Sequence, residues 1–248
     1  MNNLHILKWY QQMGVDEVIS VDKNNYLLHA APYTSNSIND FAALSDIIAD
    51  ARNKANEAQN LSELEEIVNN WGGCQLKKTA NKTVFCDGNP NTDVMLIGEA
   101  PGASEDLEGI PFCGDAGKLL DNMIGAINLT RQNSYITNVL FWRPPGNRKP
   151  TPEELAICQP FVEKHIALIN PKVIIIVGST AASVLLPDAK ETISQLRTRH
   201  HSYTNCYLTK PITASIIFHP SYLIRQPLQK KSTWHDLQLI RKLITQQN

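Results

Sequence analysis

From Asp93 onward the chain alternates short runs of consecutive apolar residues with longer stretches of helical periodicity. Val94-Met95-Leu96-Ile97 contains no polar residue and stops at Gly98, the pattern of a strand buried on both faces of a parallel sheet. Ser134–Val139, Val173–Val177 and Ser215–Phe218 predict three more strands. Around them, Ala116–Ile127, Glu153–Ile169, Thr180–Leu186 and Thr233–Thr245 predict helices, the second following Thr151-Pro152 with proline in its first turn. Strands and helices alternate, so the expected fold class is α/β: three layers, α/β/α, around a central four-stranded parallel sheet. Ligands of such sheets bind beyond the strand C-termini.

Residues 1–70 read differently. Leu4–Met13 predicts a short helix, and a polar stretch rich in Asn and Ser follows it. Asn39–Ala58 is Ala-rich and helical in pattern, and Ser62–Asn70 opens on Ser62-Glu63-Leu64-Glu65, a capping-box pattern. The expectation is an N-terminal helical extension over 1–70, with no catalytic role of its own, ahead of an α/β domain over 71–248. Of the 248 residues 42% are hydrophobic, enough for a substantial core. The net charge of −1 is not that of a general nucleic-acid binder, so any DNA-binding face must be a local basic patch. The cysteines number five, an odd count, and the start from Met1 to Gly14 is polar. The longest apolar run, Val173–Val177, is far too short to span a bilayer. These features predict a soluble, intracellular, cytoplasmic protein with reduced thiols and no membrane segment.

Four constellations fall at the strand ends. Gly98-Glu99-Ala100-Pro101-Gly102 follows the first strand. Its glycines allow a sharp turn and close backbone approach to a ligand, and Glu99 places a carboxylate at the sheet mouth. The Walker spacing and lysine are absent, so this is not a phosphate loop. Gly109-Ile110-Pro111-Phe112-Cys113-Gly114 holds a Phe between turn residues, either a core anchor or a rigid stacking surface. Thr137-Asn138 brings an amide suited to reading a base edge, and Arg143-Pro144-Pro145-Gly146-Asn147-Arg148-Lys149 is the best local basic patch. His219-Pro220-Ser221-Tyr222-Leu223-Ile224-Arg225 follows the last strand, where a His can donate to charge developing on a ligand. Each motif alone fits an ordinary loop; their order and common placement at strand ends make a site.

The same pieces carry a family resemblance. GEAPG at 98–102, YITN at 135–138, RPPGNRKPTPEE at 143–154, INPKVIIIVGSTA at 169–181 and HPSYLIR at 219–225 resemble the iron–sulfur (family four) uracil-DNA glycosylases from Val94 to Ile240. The resemblance implies a DNA-repair hydrolase that flips uracil from uracil-containing DNA and cleaves its N-glycosidic bond, acting as a monomer. It implies that Phe112 stacks on the base, Asn138 hydrogen-bonds its edge, and backbone N–H groups around Ala100 and Gly102 hold a ring carbonyl. His219 would stabilise the departing uracil anion, and Glu99 would orient or activate water. Leu223 would fill the gap in the base stack, with Ser221, Arg225, Arg143 and Arg148 as phosphate contacts. Gly102 offers no side chain to exclude thymine, so that exclusion must come from elsewhere.

One departure is sharp. The family's [4Fe–4S] cluster is held by four cysteines, and the corresponding positions here are Trp71, Cys74, Trp142 and Cys158. Tryptophan cannot ligate iron, and such a cluster normally needs four ligands. Cys86, twelve residues beyond Cys74, is a conceivable substitute. The expectation is loss of the cluster and no cofactor, with the indoles filling the vacated volume against each other or the thiols. A non-catalytic binder of damaged DNA, a His-dependent covalent capture of sugar and a flavodoxin-like small-molecule enzyme are the competing readings. They lack, respectively, visible pocket damage, the His-bearing insertion after the Asn138 strand, and a phosphate loop. No cysteine–histidine spacing suits zinc.

Overall fold

The apolar runs become strands because a residue buried on both faces must be apolar on both. A computed structural model describes the backbone of residues 36–247 and the side chains of 43–246; the helix expected at Leu4–Met13 lies outside them. Helices α1 (Asn36–Glu57) and α2 (Leu61–Asn70) precede strands β1 (Asp87–Gly88) and β2 (Val94–Gly98). Helices α3 (Ala103–Glu108) and α4 (Asp115–Gly125) lead to β3 (Tyr135–Asn138), and α5 (Pro152–Ile169) to β4 (Val173–Val177). Then come α6 (Ser179–Leu185), α7 (Ile193–Leu196), β5 (His201–Tyr203), β6 (Ile212–Ile217), α8 (Pro220–Arg225) and α9 (Lys230–Gln247).

The sheet runs β1-β3-β2-β4-β6-β5. Its four central strands are the expected parallel set, but two short antiparallel strands, β1 and β5, extend it to six. At two and three residues, the added strands are too short to show a period-two pattern. Side chains alternate between faces. Met95, Ile97, Ile174 and Ile176 join one core cluster with Phe161 and Ile166 of α5, while Val94, Leu96, Ile175 and Val177 join another with Leu120, Ile124, Leu237 and Ile240. The expected three layers follow from that division.

From Ala43 onward the N-terminal helices share the first of these cores, burying Ala51, Ala55, Ala58, Leu64 and Val68. The N-cap of α2 sits two residues earlier than the pattern predicts, and no reciprocal capping box forms. Asn60, not Ser62, is the N-cap, accepting from the Glu63 N–H at 3.0 Å. Helix α5 starts as expected: Thr151 accepts from Glu154 N–H, Glu154 accepts from Thr151 N–H, and Pro152 occupies the first turn. Register aligns Gly98 with Asn138, and Val177 with Ile217. The strand ends therefore lie level, and the loops carrying Glu99, Asn138 and His219 leave from one end of the sheet. Among the described residues no helix is long and apolar enough to cross a membrane.

Candidate active site at the strand C-termini

Gly98 and Asn138 are register partners at the last step of β2 and β3. A side chain at Gly98 would collide with Phe112 Cζ and Asn138 Oδ1, so the glycine makes the space in which the ring and the amide meet. Asn138 is 1% exposed, and neither Nδ2 nor Oδ1 has a hydrogen-bond partner. Burying an amide unpaired costs about 1–3 kcal/mol per group. Phe112 is buried at a φ of 53°, a left-handed conformation that costs a non-glycine residue roughly 1–2 kcal/mol. Two unfavourable arrangements adjoin one another, as at sites shaped for a ligand.

His219 caps α8: its Nδ1 accepts from the Ser221 N–H at 3.2 Å. An accepting Nδ1 carries no proton, so the neutral ring carries its proton on Nε2 as a free donor. Burial pushes the His219 pKa down, partly opposed by the charge of Glu99, with Arg225 adding to the downward shift and Glu105 opposing it. The ring centroids of His219 and Phe112 are 5.7 Å apart, at 33°. Gly178, at a φ of 97°, lets His219 approach the end of β4; a Cβ there would sit 3.0 Å from His219 Cβ. Phe112, Asn138 and His219 are thus brought together as their motifs predict, with Glu99 half-buried beside them.

Gly102 departs from its expected role. Its N–H donates to Glu105 Oε2 at 3.0 Å, so it is not free for a ring carbonyl. Glu105 Oε1 also accepts from Gly114 N–H at 2.9 Å, tying the Glu99 loop to the Phe112 loop. Asp106, 1% exposed, accepts from Asn81 N–H and Nδ2 at 2.8 and 2.6 Å. The partners of Glu105 and Asp106 are mainly backbone N–H groups, which leave no mark in a motif.

Leu223 also departs from its expected role. It is 1% exposed and belongs to the second core, so it does not project as a wedge; Ile224, the next residue, is 49% exposed. Of the phosphate candidates, Arg225 is exposed and Ser221 half-buried. Arg143 donates through Nε to Asn147 Oδ1 at 2.7 Å and lies 3.9 Å from Asp106. Arg148 is forked onto Glu154 at 2.9 and 2.6 Å. Arg148 is the exposed member of this pair and Glu154 is half-buried.

The family's cluster positions do not fit a four-thiolate cluster. Trp71 is buried, donates to Asp50 Oδ2 at 2.6 Å and meets Phe161 edge-on at 5.0 Å. Trp142 is 1% exposed, donates to Thr83 Oγ1 at 3.1 Å and meets Phe141 at 6.0 Å. Both indole N–H groups are satisfied in place. Cys74 and Cys158 are buried free thiols in hydrogen-bond contact, which holds the Cys74 pKa down and that of Cys158 up. Burial pushes the Cys86 thiol up to about 11. Among the described residues no group of three or more His, Cys, Asp or Glu is placed to hold a metal ion.

Residues 85–243 match the family model of the Uracil DNA glycosylase superfamily. The chain is 36% identical over 186 residues to a Type-4 uracil-DNA glycosylase of Sulfurisphaera tokodaii, spanning 74% of this chain and 84% of that protein. It is 35% identical to one from Archaeoglobus fulgidus, over 75% and 94% of the two chains. With one from Thermotoga maritima the identity is 38%, over 65% and 82%.

Proposed function

The chain belongs to the uracil-DNA glycosylase superfamily, and we propose from that membership and its pocket that it hydrolyses the N-glycosidic bond of uracil in DNA, leaving an abasic site. The observation that carries this reading is the buried Asn138 amide, unpartnered on both atoms and facing Phe112 across Gly98. A flipped uracil satisfies it: N3–H donates to Oδ1 and O4 accepts from Nδ2, while Phe112 stacks on the ring. Cytosine presents the inverse pattern at those two atoms.

As the glycosidic bond breaks, negative charge builds on the uracil ring. The neutral His219, with Nδ1 held by Ser221 N–H, donates from Nε2 to that oxyanion, a bond that strengthens toward the transition state. Glu99 orients the attacking water and opposes positive charge on the sugar. The exposed Arg225 and the Arg143–Lys149 loop bind phosphates, and Ile224 takes the gap-filling role expected of Leu223. We further propose that the protein is a cytoplasmic monomer, and that it works without an iron–sulfur cluster because two of the four ligand positions are satisfied indoles.

Incubation with a uracil-containing oligonucleotide, followed by alkaline cleavage of abasic sites, tests the activity. Strand breakage by the wild type is expected, with E99Q and H219A each slowing single-turnover excision by more than about tenfold. No breakage by folded wild-type protein refutes the reading. Iron and sulfide analysis of anaerobically purified protein tests the cluster, and stoichiometric iron would overturn its loss.

A further inference from the structure

One side chain outside every motif holds Phe112 in its left-handed conformation. Arg131 lies in the turn between α4 and β3. Its Nη2 donates to the Phe112 carbonyl at 2.6 Å and its Nη1 to the Pro111 carbonyl at 3.0 Å. The guanidinium fork thus spans two successive carbonyls. The same group is oriented from both sides, by Asp87 of β1 at 2.6 Å and Asp121 of α4 at 3.0 Å. From another direction α4 presses on the same peptide: a Cβ on Gly117 would collide with the Phe112 carbonyl. The carbonyl is therefore clamped between a helix backbone and an arginine, and the ring above it is aimed at Gly98, Asn138 and His219.

We propose that Arg131 is a positioning residue for the base-stacking Phe112, an assignment that rests on reading this pocket as the uracil site. Only a planar fork with several donors satisfies two carbonyls and two carboxylates at once; a lysine ammonium is a single point charge and cannot. Without the clamp the Phe112 backbone relaxes toward negative φ, and the ring leaves its place beside Asn138. The loss then falls on base binding and on chemistry. Gross DNA affinity is spared, because the guanidinium is already engaged by two carbonyls and two carboxylates.

The test compares R131K and R131A with D121N, which removes one anchor of Arg131 and leaves its bonds to Pro111 and Phe112. Four quantities are read: inhibition by free uracil, single-turnover excision, affinity for abasic-site DNA, and Tm. Expected is a weakening of uracil inhibition and of excision by at least about tenfold in R131K and R131A, with abasic-DNA affinity within about twofold of wild type. D121N is expected to lower Tm with uracil inhibition unchanged. R131K retains the positive charge between the two aspartates and serves if R131A does not fold. Wild-type uracil inhibition in R131K, or a D121N that loses uracil inhibition in step with Tm as the Arg131 variants do, would overturn the proposal. Amide exchange over residues 110–117 tests the clamp even if wild type proves unable to excise uracil: faster exchange in R131K supports it, and unchanged exchange refutes it. Failure of the uracil reading and failure of the clamp are thereby told apart.

Discussion

At Asn138 stability and function pull in opposite directions. The amide sits at the end of a buried strand with no partner for either polar atom, an arrangement that selection for stability alone would remove. Leucine has the same number of side-chain heavy atoms as asparagine, joined in the same order, and needs no partner. N138L is therefore expected to gain about 1 kcal/mol in stability while losing at least about a hundredfold in single-turnover excision. Urea midpoints and rapid-quench rates check the two halves together, and a variant both less stable and fully active contradicts the account. Asn138 and His219 were legible in the sequence because each is a distinctive residue type at a strand end, and Phe112 because it stands between turn residues. Arg131 was not. Its partner Asp87 is 44 residues away, and its other partners include two carbonyls, which every residue type possesses.

Elements set which of two neighbouring side chains meets solvent. Helix α8 is six residues long, too short for a periodic pattern, and one step along a helix turns a side chain by about 100°. Proline at its start and the His219 cap fix the phase, turning Leu223 inward against α4 and α9 and leaving Ile224 outward. Leu223 and Ile224 are adjacent apolar residues beside Arg225, and their order alone does not show which of them is exposed. If Ile224 occupies the gap left by the flipped nucleotide, I224S slows excision from double-stranded DNA by about tenfold or more. Single-stranded substrate, which has no stack to hold open, is then cleaved at near the wild-type rate. Equal losses on both substrates would remove Ile224 from that role. The same limit of length hid β1 and β5, whereas β2 and β4 were readable as unbroken apolar runs and α5 as 18 residues of helix behind Thr151-Pro152.

At the scale of the whole molecule, the buried His165 and the half-buried His219 both contribute to the response to acid. His165 of α5 is 0% exposed, stacks on Phe85 at 4.4 Å and shares a 2.7 Å hydrogen bond with Tyr135 Oη. Burial pushes its pKa down to about 3 from 6.5. The folded-state value lies below the unfolded one, so in that window the unfolded chain binds the extra proton. Stability is then complete above about pH 6.5 and is lost as pH falls toward 3. At pH 5 the loss is about 2 kcal/mol relative to pH 7, from 1.36 kcal/mol per pKa unit. H165Q keeps a partner for Tyr135 but cannot titrate, so its urea stability should fall less between pH 7 and pH 5 by about that amount; parallel slopes refute the assignment. His219, also pushed down by burial, must stay neutral for Nδ1 to accept from Ser221, and it titrates in the same direction. H165Q separates the two: with the fold's own acid sensitivity reduced, any decline in single-turnover excision that precedes unfolding belongs to the His219 site. A decline that merely tracks unfolding in both proteins would instead place no titrating group of the pocket in that pH range.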